Sequence, residues 1–150
     1  MQHQCAGQRL LAEYRYEPPR VARGYANQTL YIDLSSNTIT ARPVDDQMKR
    51  TFIGGRGFGL WLLWQAVKDS TRWDDPENEV ILASGPIGGT TTYPGAGKSI
   101  AVSISPLTGS VIDSNVGGYF GPLLKFAGWD AIEVQGIASE EVIVFIDGNR

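Results

Sequence analysis

Tyr93-Pro94-Gly95-Ala96-Gly97-Lys98-Ser99 carries the Gly-Lys-Ser ending of a phosphate-binding loop. Such a loop needs Gly-x-x-x-x-Gly-Lys-Ser/Thr between a strand and a helix, so that backbone N–H groups wrap the phosphates. The first glycine would fall at position 92, which is Thr92. The residues that follow, SIAVSIS, alternate with Ile100, Val102 and Ile104 on one face. That is the period of a half-buried strand, and the helix that would hold the phosphate is missing. A P-loop is excluded, and Lys98 is left as a cation behind a glycine-rich turn.

Asn115-Val116-Gly117-Gly118 precedes a short helical pattern. Free N–H groups and the helix dipole at such a start suit an anion. Paired glycines let backbone approach a ligand, and the Asn115 amide offers both an acceptor and a donor. A hairpin of 98–105 with 110–113 would bring Lys98 and Asn115 to one sheet edge. A cation, an amide and a glycine nest there would fit a phosphate or pyrophosphate. A glycine-rich turn with a solvent-facing lysine fits the same letters, and the pattern alone leaves both readings open.

The elements that must position these groups are short. TLYIDLSSNTITARPV reads as a hairpin with strands near 29–34 and 38–42. DDQMKRTFI opens with two acids and reads as a short helix ending at Gly54-Gly55. LWLLWQAVKDS places Leu60, Leu63, Trp64 and Val67 on one stripe of a helix near 57–69, with Trp61 and Trp64 as core anchors. WDDPENEV, with Asp74, Asp75, Glu77 and Glu79, reads as a solvated turn, since Pro76 and the spacing do not suit calcium. Strands follow at 79–84, 98–105 and 110–113, the first two ending in the similar turns GPIGGT and SPLTGS. Phe120, Leu123, Leu124 and Ala127 mark a helix near 119–127 that stops at Gly128. DAIEVQG and EVIVFID read as two last strands joined at Gly136-Ile137-Ala138. The class is α+β with largely antiparallel sheet and a few short inserted helices.

Composition narrows the chemistry further. The 150 residues suffice for one domain with a real core. A net charge of −3 without a Lys/Arg cluster offers no field for nucleic acid. Cys5 is the only cysteine and His3 the only histidine, so neither a disulfide framework, a zinc site nor a cysteine-ligated cluster can be built from this chain alone. No apolar run approaches a membrane span and the N-terminus lacks a signal-peptide core, so a cytoplasmic location is expected. Residues 1–28, polar with the turn pair Pro18-Pro19, read as a disordered extension.

The ordered set GGRGFG (54–59), PENEVILASGPIGGT (76–90), SPLTG (105–109) and NVGGYFGPLLKFAGWDAI (115–132) resembles the N-terminal domain of the tungsten-containing aldehyde ferredoxin oxidoreductases. The resemblance runs from Thr29 to the end of the chain. It implies a base of two β-sheets carrying tungsten (or molybdenum) bound by two molybdopterins, with magnesium bridging their phosphates. By the same resemblance Asn115 contacts that magnesium, and Gly117 with Gly118 meets the pterin. Lys98 stands where the family usually has an arginine linking pterin to an iron–sulfur cluster. Lysine keeps the charge for a phosphate but loses the planar fork that bridges. The family's cluster cysteines and substrate-pocket acids lie in later domains, so no catalytic residue is assigned here. Residues 29–150 are then a pterin-binding domain that stops short of its C-terminal end. The implied activity is conversion of aldehydes to carboxylic acids with electrons passed to ferredoxin. It requires the C-terminal domains or a companion subunit, and a homodimer is expected when complete. The alternatives are a non-catalytic module for a pterin or other phosphorylated ligand, and an inactive gene fragment.

Overall fold

The computed structural model describes residues 9–150; His3 and Cys5 lie outside that range. A tight turn at Ser35–Asn37 joins strand β1 (Gln28–Asp33) to β2 (Thr38–Pro43), as the alternation and turn residues require. Helix α1 (Asp46–Thr51) starts where expected. Asp45 caps it, accepting the Gln47 N–H at 2.6 Å. Then come α2 (Arg56–Ala66), β3 (Glu79–Ser84), β4 (Ser99–Ile104), β5 (Val111–Val116), α3 (Phe120–Phe126) and β6 (Ala131–Gln135).

The strands form one six-stranded sheet in the order β2-β1-β6-β3-β4-β5. All neighbours are antiparallel except β1 and β6, which run parallel. The expected mainly antiparallel α+β class is found, but among the described residues there is one sheet rather than two. The cause is β6, which pairs on one side with β1 and on the other with β3. This also corrects the reading of EVIVFID as the last strand. Both edges of β6 are taken, and the backbone leaves the sheet at Gly136, whose φ of +84° favours glycine. Residues 141–147 are irregular, with Ile143 and Phe145 exposed and Ile146 packed inward.

Each face of the sheet holds a core. Phe58, Leu63 and Met48 from α2 and α1 pack on Ile81, Ala83, Val102 and Ala131. On the opposite face Leu124 and Trp129 pack with Leu30, Ile32 and Ile132. The helix stripes differ from expectation. In α2 the buried residues are Phe58, Gly59 and Leu63, while Trp64 is 79% exposed. In α3 they are Gly121, Leu124 and Lys125, while Leu123 is 60% exposed. Glycines decide both faces: a Cβ on Gly59 would stand 2.6 Å from Val102 Cγ2, and one on Gly121 would stand 3.2 Å from the Lys98 carbonyl oxygen. The helices seat where their backbones touch the sheet most closely, and the large side chains turn outward.

Residues 9–27, expected to be disordered, are irregular but anchored. The Trp129 indole N–H donates to Tyr16 Oη at 2.9 Å, and that hydroxyl lies 2.8 Å from the Ala127 carbonyl oxygen and 3.0 Å from that of Gly148. Burial raises the Tyr16 pKa, the Trp129 hydrogen bond opposing. Farther along, Asp130 accepts the N–H groups of Ala26 at 3.0 Å and Asn27 at 2.8 Å, and its other partner is the Lys125 ammonium.

Candidate functional site

Ser99 pairs with Val116 at the end of the β4–β5 ladder, so Lys98 falls opposite Gly117 just beyond it. The Lys98 side chain lies along that glycine: a Cβ on Gly117 would be 3.2 Å from Nζ and 3.9 Å from Cε. A Cβ on Gly97 would be 2.9 Å from the Gly118 carbonyl oxygen. The two chain segments can approach only because both lack side chains here. Gly118 itself has φ +92°, and the side a Cβ would occupy is open space. Lys98 is exposed.

Asn115 lies in β5 opposite Ile100, exposed on the sheet's outer edge. It shares a face with Asp113 and Gly117 by the strand period. The segment does precede a helix, as expected, but the expected strand end near 113 is corrected. Strand β5 runs through Val116 rather than ending near 113, and the helix begins only at Phe120. The hairpin placement of Lys98 and Asn115 at one edge agrees with the structure.

Sequence reasoning missed what else reaches this edge. Arg56, the first residue of α2, pairs with Asp113, its Nη2 2.7 Å and its Nε 2.9 Å from Oδ2. The Gly55 N–H donates to the Ser84 carbonyl at 3.1 Å. Thus GGRGFG, the end of β3 and the start of the NVGGYFG segment meet at one end of the sheet. The available signal was strand parity, since Asp113 is in phase with Asn115.

At the other end of β3 lies a second polar group. Glu79 was read as part of a solvated turn, yet it opens β3 in phase with Ile81 and Ala83 and is 1% exposed. Glu133 of β6 is equally buried; its carboxylate accepts from Thr29 Oγ1, and from Arg42 Nη1 at 3.0 Å. Burial, with the Glu133 charge adding to it and Arg42 opposing, raises the Glu79 pKa to about 8.

One end of the six-stranded sheet therefore brings an exposed ammonium, Lys98, and an exposed amide, Asn115, beside side-chain-free backbone at Gly117 and Gly118. Residues 29–150 match the aldehyde ferredoxin oxidoreductase N-terminal domain, and the chain belongs to that family. It is 40% identical over 124 residues to the tungsten-containing aldehyde ferredoxin oxidoreductase of Pyrococcus horikoshii, covering 83% of this chain and 20% of the relative. It is 34% identical over 125 residues to an aliphatic sulfonate oxidoreductase, WOR-like subunit, of Pyrococcus furiosus, covering 81% and 20%. Among solved structures, the active-site complex BamBC of benzoyl coenzyme A reductase with 1,5-dienoyl-CoA aligns with a TM-score of 0.75 and 31% identity, over 78% of this chain and 18% of that one. The chain spans about a fifth of the length of the curated relatives it matches.

Proposed function

We propose that this chain is the tungsten–pterin-binding base of an oxidoreductase that converts aldehydes to carboxylic acids and passes electrons through an iron–sulfur cluster to ferredoxin. The observation that carries the reading is the Lys98 ammonium lying along side-chain-free backbone at Gly117, beside an open Gly118 and an exposed Asn115. This donor set fits a phosphorylated, planar group. Lys98 binds phosphate oxygens as a point charge, Asn115 offers a carbonyl oxygen to a hard cation such as magnesium, and Gly117 with Gly118 admits a ring against the backbone. Bound there, the metal–dithiolene group supplies the redox chemistry. The chain's own residues hold and orient it, and Arg56 paired to Asp113 stiffens the same edge.

The substrate class is a finer matter. Relatives are named for aldehydes and for an aliphatic sulfonate, and the solved structure holds a dienoyl-CoA. A base shared by such different reactions carries the cofactor, while substrate choice lies in other segments. Aldehydes are favoured because the aldehyde enzymes are the more similar relatives, at 36–40% identity against 34%. The cluster also belongs elsewhere, because a single cysteine cannot ligate one. C-terminal domains or a companion subunit would cover the apolar face of Tyr119, Leu123 and Phe126, which are 83%, 60% and 64% exposed. Phe58 of α2 is fully buried and takes no part in that face.

The test is the tungsten-to-protein ratio, with pterin measured alongside, for the complete enzyme and its Asn115→Leu and Lys98→Glu variants. Both ratios should fall together in each variant. Unchanged ratios would remove this edge from the cofactor site.

A further inference from the structure

We propose that the cavity between α2 and strands β1, β2, β3 and β6 is a second site, which takes a small alkylguanidinium ion between Glu79, Glu133 and Trp61. The cavity has a volume of about 400 Å³. Its charged lining is three carboxylates, Asp45, Glu79 and Glu133, against one cation, Arg42. That cation is already committed: Arg42 donates to Glu133, and its guanidinium carbon lies 3.3 Å from the Tyr31 ring centroid.

Glu79 makes the cavity more than an acidic patch. Both of its carboxylate oxygens are buried and neither has a hydrogen-bond partner. Ionised, such a group is strongly penalised away from water; protonated, it still leaves a buried O–H unpaired. A guanidinium resolves both at once, because its planar fork donates two parallel hydrogen bonds to one carboxylate and keeps further donors for Glu133. The half-buried Trp61 indole offers a flat face for the same group, and Leu62, Ala66 and Met48 give an apolar wall for a short alkyl stem. A metal ion is less well served, since among the described residues no three His, Cys, Asp or Glu side chains could hold one. Asp45 and Gln65 are exposed and leave the cavity open at one rim.

This site is independent of the cofactor reading. Glu79 and Ser84 lie at opposite ends of β3, and Ser84 pairs with Ser99 beside Lys98. At about 3.3 Å per residue, the two sites are of the order of 17 Å apart along that strand alone.

Binding must displace the Glu79 proton. The charged or titratable groups facing Glu79 are Glu133 from β6, Arg42 from β2, Tyr31 from β1 and Asp45 at the start of α1; α2 contributes only the neutral Gln65 and Trp61. A guanidinium stays charged throughout, so affinity should rise as Glu79 ionises toward alkaline pH.

The experiment is calorimetric titration of the full 150-residue chain with butylguanidinium at about pH 6 and about pH 9, with butylammonium and Mn²⁺ as comparators. Butylguanidinium should bind more tightly at the higher pH, release a proton at the lower pH where Glu79 still holds it, and outcompete both comparators. Glu79→Gln, which keeps the volume, should weaken it about tenfold or more, while circular dichroism shows the variant folded. Lys98→Glu should leave this binding unchanged although it lowers tungsten retention, which separates failure here from failure of the cofactor reading. No binding to the folded parent, equal binding to Glu79→Gln, or preference for Mn²⁺ would overturn the proposal.

Discussion

The ammonium of Lys98 stands 3.2 Å from the point where a Cβ on Gly117 would be, so the lysine occupies the space that the glycine leaves free. A ligand drawn to that ammonium therefore meets bare backbone. Gly117→Ala should displace only a flexible lysine tip, and the isolated chain should lose less than about 1 kcal/mol. In the complete enzyme the same change should lower the tungsten-to-protein ratio. Thermal unfolding of the chain beside metal analysis of the enzyme checks both halves, and full tungsten retention would contradict the contact.

Lys98→Arg should behave unlike Lys98→Glu. Arginine keeps the charge and adds a planar fork, so cofactor content should hold, whereas glutamate repels phosphate and content should fall. Equal losses in the two would mean that the position matters for packing rather than charge.

Glu79 should make stability depend on pH. Its folded pKa, about 8, lies above the ordinary 4.5, so the folded state holds a proton that the unfolded state has lost between those values. Stability should then decline as pH rises from about 4.5 to about 8 and level off above, a total of the order of 5 kcal/mol. Urea unfolding of parent and Glu79→Gln across that range checks it. The variant should lack this decline and be the more stable protein at alkaline pH.

Asp130 ties three segments together through the Ala26 and Asn27 N–H groups and the buried Lys125 ammonium. Asp130→Asn keeps the shape but strands the lysine charge, and should cost about 3–5 kcal/mol. Adding Lys125→Met should restore part of that loss in the same unfolding assay; no recovery would place the cost elsewhere.

Tyr16→Phe should cost about 1–2 kcal/mol, since the Trp129 N–H and the carbonyls of Ala127 and Gly148 lose a shared partner. A lowered melting temperature with altered tryptophan emission is the expected result. Unchanged stability would leave residues 9–27 a dispensable appendage.

The isolated chain should not reduce a viologen dye with an aldehyde, because no cluster can form on one cysteine. Dye reduction by the purified chain would overturn this.

Local signals in the sequence were sufficient for most elements. Glu79–Ser84 is bounded by a proline turn and a glycine, and the strand falls there residue for residue. Helices α2 and α3 were visible too, but their buried faces were not. Counting large apolar residues points to Trp64 and Leu123, whereas contact is set by Gly59 and Gly121, where the backbone itself meets the sheet. Lys98 and Asn115 could be placed together because one hairpin joins them. Glu79 with Glu133, and Arg56 with Asp113, could not, because each pair depends on strand order and packing between segments more than fifty residues apart.

The position of β6 has a consequence for how the chain is made. Its pairing partners are residues 29–33 on one side and 79–83 on the other, so a middle strand of the sheet is the last of these six to leave the ribosome. Until it arrives, the β1–β2 hairpin and the β3–β4–β5 meander are separate ribbons, each with an unpaired inner edge. Closing the parallel β1–β6 pair spans about a hundred residues of chain, a non-local step that slows folding and lengthens exposure of those edges. A nascent chain halted before Ala131 would therefore be two unjoined half-sheets prone to pairing with other chains.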